Sequence, residues 1–225
     1  MKQSLLSDLQ TYRAQKRICV LATDLATGEQ MLMLDPKSEK TELERASMAA
    51  VKADKSQTVT TEDGRSWFLN VFNPPLRLAI VGAVHIAQPL SRFAQETGFD
   101  VTVIDPREAF ADPVRFAGAT INHAWPDEAL QSLAPDTRTA IVTLTHDPKL
   151  DDPGLHVALR SPAFYIGALG SKKTQAARVE RLTAAGFSTN QIARIHGPVG
   201  LNIGGKSPAE IAISVLAEII QTLRQ

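Results

Sequence analysis

The sequence predicts an α/β protein, a Rossmann-like doubly wound parallel sheet preceded by a small α+β domain. Two observations carry that prediction. From Arg77 onward, unbroken runs of β-branched and apolar residues alternate with helical segments, the pattern of a parallel sheet buried on both faces. Before Asn73-Pro74-Pro75 the strand-like runs are shorter and come in pairs around turn residues. Proline cannot donate to a ladder, so this triplet ends the last strand of the first part. The expected domains are residues 1–76 and 77–225, within what a 225-residue chain supports.

In the first part, a helix is expected over Ser4–Gln15. Arg17–Ala22 and Gln30–Leu34 flank a turn containing Gly28. Gln57–Thr61 and Arg65–Phe72 flank Asp63-Gly64, a strong hairpin signal. Glu42–Lys55 between them is rich in Ala, Glu and Lys, all good helix formers. In the second part the expected strands are Leu78–Gly82, Val101–Asp105, Thr120–His123, Thr139–Leu144 and Ala163–Gly167. Helices are expected at Ile86–Thr97, Asp127–Leu133, Leu155–Arg160 and Lys172–Ala185, the last ending at Gly186. A final helix starts cleanly, with Ser207 as N-cap, Pro208 in the first turn and Glu210 completing a capping box.

Charge and cysteine narrow the function classes. There are 24 basic and 24 acidic side chains, so the chain lacks the cationic surplus of a nonspecific nucleic-acid binder. The balance conceals an asymmetry. Residues 77–159 carry six bases against eleven acids, and residues 160–225 carry eight against three. No apolar run approaches the ~20 residues needed to span a bilayer. A single cysteine, Cys19, precludes an internal disulfide and fits a reducing compartment, so the expected location is the cytoplasm. Within a strand, its thiol reads as packing.

Candidate site residues fall at the carboxyl ends of the strands. Gly82-Ala83-Val84-His85-Ile86-Ala87 occupies the place of a dinucleotide fingerprint, with Val84 where the second glycine should stand. A branched side chain there obstructs a pyrophosphate and disfavours NAD(P). Asp105 ends the second strand, where an acid could accept from ribose hydroxyls, and Arg107 follows it. Thr145-His146-Asp147 follows the fourth strand and should face Gly82–His85 across the switch-point crevice. His85, His146 and Asp147, with Asp151 or Asp152, could ligate a metal, but a crevice-lining hydrogen-bond network is the preferred reading, since no paired-His or Cys motif is present. Neither a Gly-x-Ser-x-Gly elbow nor a phosphate loop occurs, so no complete catalytic constellation is found.

Two glycine-rich segments add to this. Gly167, Gly170, Ser171, Lys172 and Lys173 lead a strand into a helix that starts on two lysines. Cations there oppose the helix dipole, so the segment reads as a phosphate or carboxylate site. Arg178 and Arg181, further along, are expected on the surface. His196, Gly197 and Gly200 open a loop with glycines that permit close backbone approach to a ligand.

Val-Gly-Ala-x-His-Ile-Ala (81–87), Val-Ile-Asp-Pro-Arg (103–107), Leu-Thr-His-Asp (144–147), Tyr-Ile-Gly-Ala-Leu-Gly-Ser-Lys-Lys (165–173), Ile-His-Gly-Pro-Val-Gly-Leu-Asn-Ile-Gly (195–204) and Ser-Pro-Ala-Glu-Ile-Ala (207–212) occur in that order. Together they resemble the xanthine dehydrogenase accessory proteins of XdhC/CoxI type, over residues 77–222. The resemblance implies a Rossmann-like domain that binds molybdenum cofactor as cargo and delivers it to a molybdenum hydroxylase apoenzyme such as xanthine dehydrogenase. It also implies a sulfur-donor protein as a further partner, and a maturation factor rather than a catalyst. The alternative is an NAD(P)-dependent oxidoreductase on the same domain. A homodimer is one way to cover Trp67 and Phe68.

Overall fold

A computed structural model describes residues 3–36 and 39–225. The chain divides into two compact units between Pro74 and Pro75. The first contains α1 (Gln3–Ala14), β1 (Cys19–Asp24), β2 (Gln30–Leu34), α2 (Glu42–Ala53), β3 (Gln57–Thr60) and β4 (Ser66–Phe72). Its four strands form an antiparallel sheet in the order β2-β1-β4-β3. Strand alternation sorts the side chains, and Val20, Ala22, Trp67 and Leu69 form a small core with Ala50 of α2. Thr41 and Glu44 cap α2 reciprocally, a capping box that satisfies two orphan donors. Cys19 is fully buried and unbridged, as expected of a packing thiol.

The second unit contains β5 (Leu76–Val81), α3 (Ala87–Glu96), β6 (Phe99–Ile104), β7 (Thr120–Asn122), α4 (Pro126–Leu133) and β8 (Thr139–Thr143). There follow α5 (Pro148–Arg160), β9 (Tyr165–Ala168), α6 (Lys172–Ala184), α7 (Thr189–Ile192), β10 (Ile195–His196) and α8 (Pro208–Arg224). All six strands are parallel, in the order β10-β9-β8-β5-β6-β7. Sequence order therefore reverses between β5 and β8, the switch point of a doubly wound sheet. The predicted Rossmann-like architecture is the observed one.

Two cores lie on opposite faces of this sheet. Leu78, Ile80, Val101, Val103 and Val142 pack with Leu90 of α3 and with Val215 and Ile219 of α8. Their neighbours in sequence, Ala79, Val81, Ile104 and Ile141, pack on the other side with Leu130, Leu155 and Leu182 of α4, α5 and α6. β5 is buried at every one of its six positions, which explains why, Arg77 apart, its sequence is apolar throughout.

Three local features depart from the sequence reading. Helix α5 starts at Pro148, seven residues before the expected Leu155. Two prolines and a glycine make Pro148–Gly154 read as a turn, but Asp147 caps the helix and Pro148 suits its first position. Burial of Leu150, Asp151 and Gly154 then overrides propensity. Helix α7 and the two-residue β10 are too short to carry a periodic signal. Arg178 is not a surface residue: it is 1% exposed, on the inner face of α6.

Gly154 lies where α5 comes close to the sheet, and an added Cβ would meet Pro126, Val81 and Leu130 at 3.4, 3.5 and 3.6 Å. Those are van der Waals separations. Gly154→Ala should therefore fit and stabilise by about 0.5–1 kcal/mol through helix propensity, whereas Gly154→Leu overpacks the site and destabilises. Urea denaturation midpoints of the two variants check the opposite signs.

Candidate functional site

The switch-point turn begins at Gly82, whose φ of +103° is unfavourable for any residue with a Cβ. A Cβ there would also strike the Thr145 methyl. The glycine is thus required by the approach of the β8 loop. Ala83 next donates its N–H to Asp105 Oδ2 at 2.8 Å. Val84 packs on the core beneath the turn, and His85 is exposed.

Asp105 is fully buried, and both of its oxygens are engaged. Oδ1 accepts from the Arg107 backbone at 3.0 Å and from Arg107 Nε at 2.8 Å, while Oδ2 accepts from Arg107 Nη2 at 2.7 Å. Burial opposes ionisation, but the hydrogen bonds from Arg107 and Ala83 outweigh it and hold the carboxyl below its ordinary range. Asp105 therefore clasps two loops, with both oxygens committed within the protein. Arg107 pairs with Asp105 and lies over the Phe110 ring.

A second buried acid organises the β8 loop. Asp151, 2% exposed, accepts from Thr145 Oγ1 at 2.7 Å, from Thr145 N–H at 3.3 Å and from His146 N–H at 3.1 Å. These bonds hold His146 at a φ of +63°, a conformation non-glycine residues seldom adopt. Burial pushes the Asp151 carboxyl up, and the bonds from Thr145 and His146 oppose that only in part. Asp147 caps α5, accepting from Lys149 N–H at 2.9 Å.

Past β9, Ser171 caps α6 by accepting from Thr174 N–H, as its position predicted. Lys172 and Lys173 are exposed, and neither has a carboxylate at ion-pair distance among the described residues. Gly167 is buried, and a Cβ there would press on Val199 at 2.5 Å. Gly170, at φ +155°, leaves room for Thr174. Beneath this turn, Arg178 donates from Nη2 to the Leu169 carbonyl at 2.8 Å and from Nη1 to Gln175 Oε1 at 2.5 Å.

The glycine loop after β10 is held by Glu218 of α8. Its Oε2 accepts from Gly200 N–H at 2.9 Å and from the Tyr165 hydroxyl, and its Oε1 lies 3.4 Å from His196 Nδ1. His196 stacks on Tyr165 with ring centroids 4.5 Å apart. Burial and the neighbouring Glu218 push the Tyr165 phenol up, so it stays a hydrogen-bond donor. Gly200, at φ +97°, sits so close to α8 that a Cβ would meet Ser214 Oγ at 2.5 Å.

Two clefts result. One, of about 280 Å³, is lined by Val84, His85, Thr145, His146, Lys206 and Pro208, with Leu144, Leu169 and Ile211 as apolar wall. The other, of about 510 Å³, runs along Pro198–Gly205 and is flanked by Lys172. Leu169 and Ile211 belong to both. So His85, Thr145 and His146 meet in one cleft, while Lys172 and Gly200 line the other. Gly82, Asp105, Arg107, Asp147, Gly167, Gly170, Ser171, Lys173, His196 and Gly197 lie outside both linings. Several of these support the walls instead. Lys206, Arg178 and Glu218 are residues that the sequence motifs do not single out for binding. Glu218 had a signal, an acid on the otherwise apolar stripe of α8.

Among the described residues, no three or more His, Cys, Asp or Glu side chains are grouped to hold a metal ion, and no helix is long and apolar enough to cross a membrane.

A family model described as the XdhC Rossmann domain matches residues 78–219. The chain is 35% identical over 159 residues to a Bacillus subtilis protein named as a probable subunit of xanthine dehydrogenase, covering 70% of this chain and 46% of that protein. It is 32% identical over 163 residues to the molybdenum cofactor insertion chaperone PaoD of Escherichia coli, covering 71% and 45%. It thus spans less than half the length of these curated relatives. A crystal structure described as a xanthine dehydrogenase from Bacillus halodurans superposes with a TM-score of 0.69 at 26% identity, covering 98% of this chain and 64% of that one.

Two outcomes are expected from the buried acids. Asp105→Ala leaves the buried Ala83 N–H without its acceptor and should destabilise by about 1–3 kcal/mol in urea denaturation. Because the folded-state pKa of Asp105 is lowered, its contribution is present above the ordinary carboxyl range and is lost as pH falls through the lowered value. Asp151 has the opposite sign: its raised pKa means that folding favours the protonated form, and its contribution declines as pH rises through the raised value. Acidification should protonate Asp151 before exposed aspartates and weaken its hold on His146. The protection factor of the His146 amide, its exchange rate set against the intrinsic rate at the same pH, should then fall, and Asp151→Ala should show low protection at neutral pH.

Proposed function

The chain belongs to the XdhC family, and we propose that it binds molybdenum cofactor at the carboxyl end of its six-stranded sheet and delivers that cargo to a molybdenum hydroxylase. The observation that carries this reading is the convergence of His85, His146 and Lys206 on one cleft where the strand order reverses. The adjoining glycine-loop cleft adds Lys172 beside backbone that a side chain would crowd. A pterin bearing a phosphate or nucleotide phosphate needs a flat apolar wall, hydrogen-bonding edges and cations. Leu169 and Ile211 supply the wall, the histidines the edges, and the lysines the charge.

The acids near the site are already engaged within the protein, which favours an anionic ligand. The chain's single cysteine is buried in β1, with its thiol pushed up by burial and by Asp35, so no thiolate from this chain is offered to molybdenum. The cargo is held by reversible contacts, as delivery to an apoenzyme requires.

A nicotinamide-dependent oxidoreductase is the second reading, favoured by the strand order. Two residues oppose it: Val84 stands in the pyrophosphate turn, and Asp105 has its oxygens committed to Arg107 and Ala83.

Separate titrations of the purified protein with molybdenum cofactor and with NAD(P)H test the choice. Saturable binding of the cofactor alone is expected, while tight NAD(P)H binding without cofactor binding would remove the proposal. Replacing Lys172 and Lys206 together by Ala should weaken cofactor binding by roughly tenfold and flatten its salt dependence. Unchanged affinity would place the anionic group elsewhere.

A further inference from the structure

Of the residues that line the histidine cleft, His146 is the one whose backbone φ is positive. Among the described residues, five other than glycine share that feature: Lys16, Asp35, Asp54, Ala134 and His146. Lys16, Asp54 and Ala134 stand at the carboxyl ends of α1, α2 and α4, where a left-handed residue is the ordinary way to stop a helix. Asp35 is of a type that tolerates this region, and its carboxylate accepts locally from Ile18 N–H and Arg17 Nε. His146 ends no helix; it precedes the N-cap of α5. Nine glycines take positive φ elsewhere in the chain, so a side chain at this φ is the exception.

Asp151, in the first turn of α5, imposes the conformation. Thr145 donates its hydroxyl and its N–H to Oδ1, and His146 donates its N–H to Oδ2. The Thr145 methyl occupies the space that a Cβ on Gly82 would need, so the segment is fixed from both sides. All three groups that reach Asp151 are donors. A carboxylate suits them because it only accepts, whereas an asparagine would turn an amide N–H toward a donor. Arg178 of α6 faces the carboxylate with a positive charge.

The imidazole that this arrangement holds does nothing for the fold. His146 is exposed, and its side chain makes no hydrogen bond, ion pair or ring contact among the described residues. A buried carboxylate and a strained backbone thus serve a side chain without a structural partner. Strain kept at such a position is the mark of a functional constraint.

We propose, on the cofactor reading above, that Asp151 is a positioning residue acting through His146, and that the imidazole it fixes is the preset hydrogen-bonding contact to the cargo's heterocyclic edge. Holding the imidazole in place before the cargo arrives removes the cost of ordering it on binding. The fold bears the strain, and the affinity of the cleft gains from it.

The full chain, His146→Gly, Asp151→Asn and the double variant are compared by urea denaturation and by titration with molybdenum cofactor. His146→Gly should leave the urea midpoint unchanged or raised, since glycine takes this φ without strain, while cofactor affinity falls by roughly tenfold. Asp151→Asn should lower affinity about as much in the otherwise unchanged chain. In the His146→Gly background it should lower affinity by about twofold or less, because no imidazole remains to be placed. If Asp151→Asn does not fold, His146→Gly decides the matter alone. Wild-type binding that His146→Gly leaves intact would overturn the proposal and spare the cofactor reading. Equal losses from Asp151→Asn in both backgrounds would also overturn it, as the sign of an acid that serves the fold only. A lowered urea midpoint in His146→Gly would do the same, since His146 would then stabilise the fold. Absence of binding by the wild-type chain would remove the cofactor reading and this proposal together.

Discussion

Helices cover both faces of the six-stranded sheet, so the inner strands offer a ligand their ends and not their faces. Val81 and Ile104 are buried on one side of the sheet, and Ile80 and Val103 on the other. In a parallel sheet with that burial, polar function is confined to the loops that leave the carboxyl ends. The reversal of strand order between β5 and β8 then opens a gap there, because the connections from these two strands depart to opposite faces. The histidine-lined cleft is a consequence of that packing.

Buried charged groups give the loops around the gap their shape. Asp105 ties the β5 turn to the β6 turn, and Asp151 ties the start of α5 to Thr145 and His146. Glu218 joins α8 to β9, to His196 and to the glycine loop. Arg178 supports Leu169 from below. Each links segments that propensity alone would leave independent. Because these acids spend their oxygens inward, the charged and imidazole side chains lining the clefts are His85, His146, Lys172 and Lys206. The formal asymmetry of the domain, acidic before residue 160 and basic after it, thereby becomes a local excess of cations around the clefts.

Glycine has a different role here from the one its sequence pattern implies. At Gly82 and Gly200 the backbone takes positive φ, and another segment of the protein occupies the space of the missing Cβ. These residues let the loops nest on Thr145 and on α8. The ligand surface is what the nested loops then enclose, and Val84 becomes part of the cleft wall.

Elements with long, consistent signals were legible in the sequence. The apolar run Leu78–Val81 of β5, the Asp63-Gly64 hairpin and the Ser207-Pro208-Glu210 helix start each follow from local chemistry, and each forms as read. So did the placement of His146 opposite His85, because strand order in a doubly wound sheet is constrained by handedness and connection length. The start of α5 was hidden by Pro148 and Pro153, whose local preference yields to the burial of Leu150 and Gly154. Whether an acid serves a ligand or the fold was also invisible, since Asp105 has the same sequence context in either case. Only tertiary structure decides that, by bringing Ala83 and Arg107 within hydrogen-bonding reach of one fully buried carboxylate. The sequence by itself determined the architecture, through periodicity and turn chemistry, which act over a few residues. The tertiary structure decided which polar groups face the clefts, because satisfying a buried charge depends on partners many residues away.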